Sequence, residues 1–174
     1  MIFCYAEPKD VIHVAENMRE RDYEEISCLT FAEGRKELAQ YLANLYSQHQ
    51  NVYAVGTAKE GPIAILAYIP VRPGVWSLGM FATDSFQKIG RFLTKTIIRD
   101  IIPSLDRANA HRVEAQSIEG YKEIHRWLQF LGLQKEGEMP GYGRNGENFI
   151  TFSYVRADGQ APGTVKWRKS GVVR

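Results

Sequence analysis

The stretch from Val75 to Pro103 constrains the fold more than any other part of the chain. Val75-Trp76-Ser77-Leu78-Gly79-Met80-Phe81-Ala82 carries no charge, as a strand buried on both faces of a sheet requires. Thr83, Asp84 and Ser85 follow, each able to cap a helix start. Ile89, Phe92, Leu93, Thr96, Ile97 and Ile101 then recur at helical spacing, and Pro103 is expected to end that helix. A buried strand feeding straight into a helix leaves backbone N–H groups facing out of the sheet's edge. Such a terminus attracts anions and suits a phosphate-bearing ligand.

The remaining elements follow from punctuation and period. Met1 to Ala6 reads as a first strand, and Pro8 opens a helix with Val11, Ile12, Ala15 and Met18 on its apolar face. The dense charges of Arg19 to Glu25 read as a solvated helix end or loop. A second helix, about Ala32 to His49, buries Leu38, Tyr41, Leu42 and Leu45. Asn51–Ala58, Ile63–Val71 and Val75–Ala82 are strands joined by the turns Lys59-Glu60-Gly61-Pro62 and Arg72-Pro73-Gly74, hence an antiparallel meander. Arg112 to Ser117 is a strand reached through a helix, so it lies parallel to its predecessor. A short helix with Ile124, Trp127, Leu128 and Leu131 stops at Gly132. A strand from Leu133 to Glu138, a glycine-rich loop from Pro140 to Gly146 and a strand from Phe149 to Val155 close the domain. The loop reads as a hairpin tip, although it could also close over a ligand, and Trp127 reads as core. Residues 156–174, with Trp167 among Lys166, Arg168 and Lys169, read as a flexible basic tail.

At 174 residues the chain fits one domain over 1–155 plus that tail. A net charge of +2 excludes a chain-wide nucleic-acid surface, so nucleic acid is a partner only through the tail. No apolar segment is long enough for a membrane span. Cys4 and Cys28 read as reduced thiols, and no cysteine–histidine spacing suits a metal. With no basic-then-apolar leader at the start, the expected compartment is the cytoplasm, or a particle assembled there.

The order of strand, two helices, three-strand meander, helix, strand, helix and two strands resembles the GNAT (Gcn5-related N-acetyltransferase) fold. The segment Ile124 to Phe152, with Phe130-Leu131-Gly132-Leu133 ending its helix, looks like that family's closing segment. The resemblance implies an α+β, α/β/α layered fold. Its sheet would be mixed and mostly antiparallel, with splayed parallel central strands and flanking helices. It also implies acetyl transfer from acetyl-CoA to an amine carried by a small molecule or a protein. Glutamine/arginine-x-x-glycine-x-glycine/alanine, the family's phosphate loop, aligned with its last position on Gly90, puts Ser85 and Lys88 at the other two fixed positions, and only Gly90 fits. Asp84 and Lys88 read most simply as a helix cap and a solvated first-turn residue, although the Lys88 ammonium could instead meet a phosphate.

The resemblance further implies that the donor lies in a V between the central strand and its parallel neighbour. Its amides would pair with Met80, Phe81 and Ala82, and its phosphates would meet Lys88, Ile89, Gly90 and Arg91. The family's usual tyrosine acid falls on Leu128, which has no proton to give. Substitutes are Glu114, Ser117, Tyr121 and His125. Glu114 reads equally as a solvent-facing or ion-paired strand residue, and His125 as a surface or packing residue. A narrower resemblance, carried by Gln87-Lys88-Ile89-Gly90-Arg91-Phe92 and His125 to Gly132, is to small GNAT-like proteins of short-tailed phages. It implies an alternative: a catalytically inactive phage protein with a structural, virion or host-interaction role.

Overall fold

A computed structural model describes residues 1–156. The basic tail expected beyond, with Trp167, lies outside the described residues. Strands β1 (Ile2–Tyr5), β2 (Val52–Thr57), β3 (Gly61–Arg72), β4 (Val75–Ala82), β5 (Arg112–Ile118), β6 (Gln134–Met139) and β7 (Phe149–Val155) form one sheet in the order β1-β2-β3-β4-β5-β7-β6. Every neighbouring pair is antiparallel except β4–β5. The meander and the parallel crossover are therefore as the turns and the intervening helix require.

Two apolar clusters sit on opposite faces of the sheet, because β3 and β4 alternate their side chains between them. On one face Ile65, Ala67 and Phe81 meet Val11, Val14, Leu38 and Leu42 from α1 (Pro8–Glu16) and α3 (Gly34–Tyr46). On the other, Leu66, Val113 and Phe152 meet Leu93 of α4 (Gly90–Thr96), Leu105 of α5 (Ile102–Arg107) and Leu128 of α6 (Lys122–Phe130). Cys4 is exposed and Cys28 buried, and both are free thiols.

Three local expectations are corrected. Thr83, not Asp84, caps the turn after β4: its hydroxyl accepts from the Ser85 amide at 3.3 Å, and residues Asp84–Lys88 make a 3-10 turn before α4. The helix does not stop at Pro103. It widens into a π-turn at Ile97–Ile101, where the Ile102 N–H bonds the Ile97 carbonyl, and continues as α5. The wider turn spares the chain the clash that proline makes with a regular helix. The helix ends at Ala108, followed by Asn109 in the left-handed region (φ 57°). Finally, the charged stretch after Met18 is a helix, α2 (Glu20–Ser27), and two of its four acids, Asp22 and Glu25, turn inward while Glu20 and Glu24 stay exposed.

Candidate functional site

Strands β4 and β5 pair only at Val75–Arg112, Trp76–Val113 and Ser77–Glu114, and then diverge. Each is held by its outer neighbour, β4 by β3 up to Ala82 and β5 by β7 up to Ile118. The hydrogen-bond alternation of an antiparallel pair fixes which groups face the fork. Thr83 N–H bonds the Ile63 carbonyl, so Phe81 faces β3, while Met80 and Ala82 face the fork. Glu119 N–H bonds Asn148, so Gln116 and Ile118 face the fork from β5. The expected donor contact at Phe81 is therefore corrected: its backbone belongs to the β3–β4 ladder.

The wide end of the fork is held by α2. Asp22 and Glu25, three residues apart, share one helix face. Asp22, only 4% exposed, accepts the Ala82 N–H (2.8 Å), the Tyr121 hydroxyl (2.9 Å) and a two-nitrogen grip from Arg19. The Arg19 N–H in turn bonds the Ala82 carbonyl at 2.9 Å. Both fork-facing groups of Ala82 are thus taken by the chain itself, which removes Ala82 from the expected donor contacts and leaves Met80 and Gln116. Glu25 accepts the Ser117 hydroxyl (2.8 Å) and the Ile118 N–H (2.9 Å). Both donors fall on Oε2, so Oε1 carries no hydrogen bond among the described residues. Burial pushes the Glu25 carboxyl up to about 7, outweighing the two hydrogen bonds that pull it down.

Between these strands lies a cavity of about 270 Å3. Leu29, Tyr41 and Leu45 line its outer side, Ser77 to Phe81 and Ala115–Gln116 its floor, and Tyr121, Trp127 and Leu128 its far wall. Leu29, Tyr41 and Leu45 are exposed, so the cavity opens between α2 and α3. Trp127 both packs on the core and lines the cavity, its Nε1 donating to Thr94 Oγ1 of α4 at 3.0 Å. The glycine-rich loop is a hairpin tip, tied by the Arg144 N–H to the Cys28 carbonyl (2.8 Å) and by its guanidinium to the Ala32 carbonyl (3.1 Å).

The other residues singled out from sequence separate into two groups. Ser117 (0% exposed) and Tyr121 lie at the fork, but as donors to Glu25 and Asp22; burial, then the Asp22 charge, holds the Tyr121 phenol's pKa well above its usual value. His125 turns Nε2 to the Ile118 carbonyl (3.1 Å) and its ring onto Phe152, and burial lowers its pKa. Glu114 is engaged by Arg112 (2.7 Å) and Arg72 (3.5 Å) at the closed end of the fork, the ion-paired alternative of the two. Lys88 pairs with Glu60 of the β2–β3 turn rather than projecting alone. Ile89 is a core side chain whose N–H bonds Phe86. Gly90 begins α4, with a ring edge of Phe86 3.3 Å from where its Cβ would be, and Arg91 is exposed. Asp22 and Glu25 were missed because a run of six charges in seven residues looks solvated. Only the spacing of the two acids, beside apolar Ile26, marked an inward face.

No family model and no curated protein matches this chain. Solved structures do. A ribosomal-protein-S5-alanine acetyltransferase from Vibrio fischeri is 18% identical over 91% of this chain and 94% of its own, with a TM-score of 0.62. A ribosomal-protein-alanine N-acetyltransferase from Brucella melitensis is 13% identical over 89% and 99%, at 0.65. A GNAT-family acetyltransferase from Bacillus anthracis is 11% identical over 88% and 93%, also at 0.65. The fold of this protein is that of the GNAT acetyltransferases: a mixed, mostly antiparallel seven-stranded sheet with one parallel pair, flanked by helices. No helix among the described residues is long and apolar enough to cross a membrane.

Proposed function

We propose that the protein is an N-acyltransferase that moves an acetyl group from acetyl-CoA to an amine. The observation that carries this reading is the fork cavity with a carboxyl of near-neutral pKa in its wall. The thioester arm pairs with the Met80 and Gln116 backbone groups at the gap edges, and the exposed cation Arg91 meets the phosphate end, joined by Lys88 when it leaves Glu60. Acetyl-CoA supplies an acyl carbon activated by sulfur. The acceptor enters between α2 and α3, where Ile26, Leu29, Tyr41 and Leu45 favour an amine joined to an apolar group, whether small molecule or polypeptide. Glu25 Oε1 takes the proton that the amine loses, a general-base role matched to neutral pH.

Thermal shift with acetyl-CoA, followed by thiol release with apolar amines, tests the reading. Saturable stabilisation is expected, with a Glu25→Gln variant losing roughly 10²-fold in rate. Absence of stabilisation at millimolar acetyl-CoA would sink it. Two observations favour a second reading, a non-catalytic protein of the same fold: Leu128 stands at the acid position, and Asp22 and Arg19 cover Ala82. The phage structural or host-interaction role belongs to that reading, and virion genes beside this one would support it.

A further inference from the structure

Tyr46 belongs to neither the Asp22 nor the Glu25 hydrogen-bond set at the fork. Tyr46 ends α3, and its ring stacks on Phe81 of β4 at 6.1 Å and 23°, so its direction is fixed. The hydroxyl stands 3.5 Å from where a Cβ on Gly79 would be, over the β4 backbone two residues beyond the last β4–β5 pair. Gly79 keeps that spot open. Tyr46 lines the cavity, and its hydroxyl has no hydrogen-bond partner among the described residues. A phenol inside a largely apolar wall ordinarily finds a partner, so an unpaired one aimed into a cavity points to a ligand. The other lining tyrosines differ: Tyr121 is committed to Asp22, and Tyr41 is exposed.

We propose that the Tyr46 hydroxyl gives its proton to the departing thiolate, the role Leu128 cannot fill; this rests on the acyltransferase reading above. The amine nitrogen bonds to the acyl carbon, and the carbon–sulfur bond breaks with its electron pair on sulfur. The phenol proton goes to that sulfur, and the proton lost by the attacking nitrogen goes to Glu25. Proton exchange through solvent from Glu25 to the tyrosinate restores both groups. Burial pushes the phenol up to about 12, and the same walls raise the thiol, so the transfer is between two groups shifted in the same direction.

Tyr46→Phe tests this, because it keeps the ring and its stacking on Phe81. Expected are an unchanged Tm, an acetyl-CoA Kd within about threefold of wild type, and kcat lower by roughly 10²-fold. With an S-aryl thioacetate, whose thiol leaves without a proton, the variant should fall within about threefold of wild type, as weaker dependence on an acid requires. A readout apart from turnover is calorimetry with CoA at pH 7, where the Tyr46 hydroxyl donates to the sulfur of the bound thiol. The variant should bind it about tenfold more weakly, while desulfo-CoA binds both proteins alike. Equal losses with both thioesters, or no loss with either, overturn the assignment while leaving the acyltransferase reading intact. Wild-type protein that neither binds nor turns over acetyl-CoA overturns both.

Discussion

Glu25 and Asp22 are both carboxylates on one face of α2, and they are buried on different terms. Asp22 has a guanidinium, an amide and a phenol around it; Glu25 has two donors and no hydrogen-bonded cation. An acid whose folded pKa is raised from 4.5 to about 7 holds its proton more tightly when folded. Stability is therefore greatest below pH 4.5 as far as this group is concerned, and falls as pH rises to 7, by about 3 kcal/mol in all. Glu25→Gln removes that loss while keeping an acceptor for Ser117 and Ile118. Its Tm should exceed wild type at pH 8, with the difference vanishing near pH 4.5; parallel Tm–pH curves would exclude a raised carboxyl at this site. Asp22→Ala leaves Arg19, the Ala82 amide and the Tyr121 hydroxyl without an acceptor, and should cost about 3–5 kcal/mol in urea unfolding.

Among the elements, α2 decides what the fork admits, and its position is set from outside itself. The Arg144 guanidinium on the β6–β7 loop grips the carbonyls of Thr30 and Ala32, on the connection that joins α2 to α3, while its backbone N–H holds Cys28 whatever the side chain. Arg144→Ala should speed hydrogen exchange over Leu29 to Glu33 at least tenfold, while changing global stability by no more than about 1 kcal/mol, since the side chain is exposed. Equal acceleration across the sheet would mean that the clamp supports the whole fold. Helix α4 to α5 shows the converse, an element whose limits come from its own sequence: the π-turn absorbs Pro103, and Asn109 ends the run.

For the molecule as a whole, the fork is where the two halves of the one sheet, β1-β2-β3-β4 and β5-β7-β6, meet over only three residue pairs. The Met80 and Gln116 amides face this gap, whereas Phe81 and Ser117 are paired into their ladders. Amide exchange should alternate accordingly, fast at Met80 and Gln116 and slow at Phe81, with acetyl-CoA slowing the two fast positions. Uniform protection through Leu78 to Ala82 without ligand would show the gap closed. Protection unchanged by acetyl-CoA would favour the non-catalytic reading.

The central strand, the closing strand from Phe149 to Val155 and the meander turns were legible because each is a local matter of apolar run, period and glycine or proline punctuation. The sequence alone determined the order of the strands and the parallel crossover, since chain connectivity leaves a strand reached through a helix no shorter way to pair. It also determined that Leu128 offers no acid, since identity needs no coordinates. Tertiary structure decided the rest. Asp22 bonds Ala82 and Tyr121, Glu25 bonds Ser117, and Tyr46 stands over Gly79: partners separated by dozens of residues, which no local period reports. Whether a charge points to water or inward depends on which distant donors the fold places beside it, and that is why a stretch read as solvated became the wall of the site.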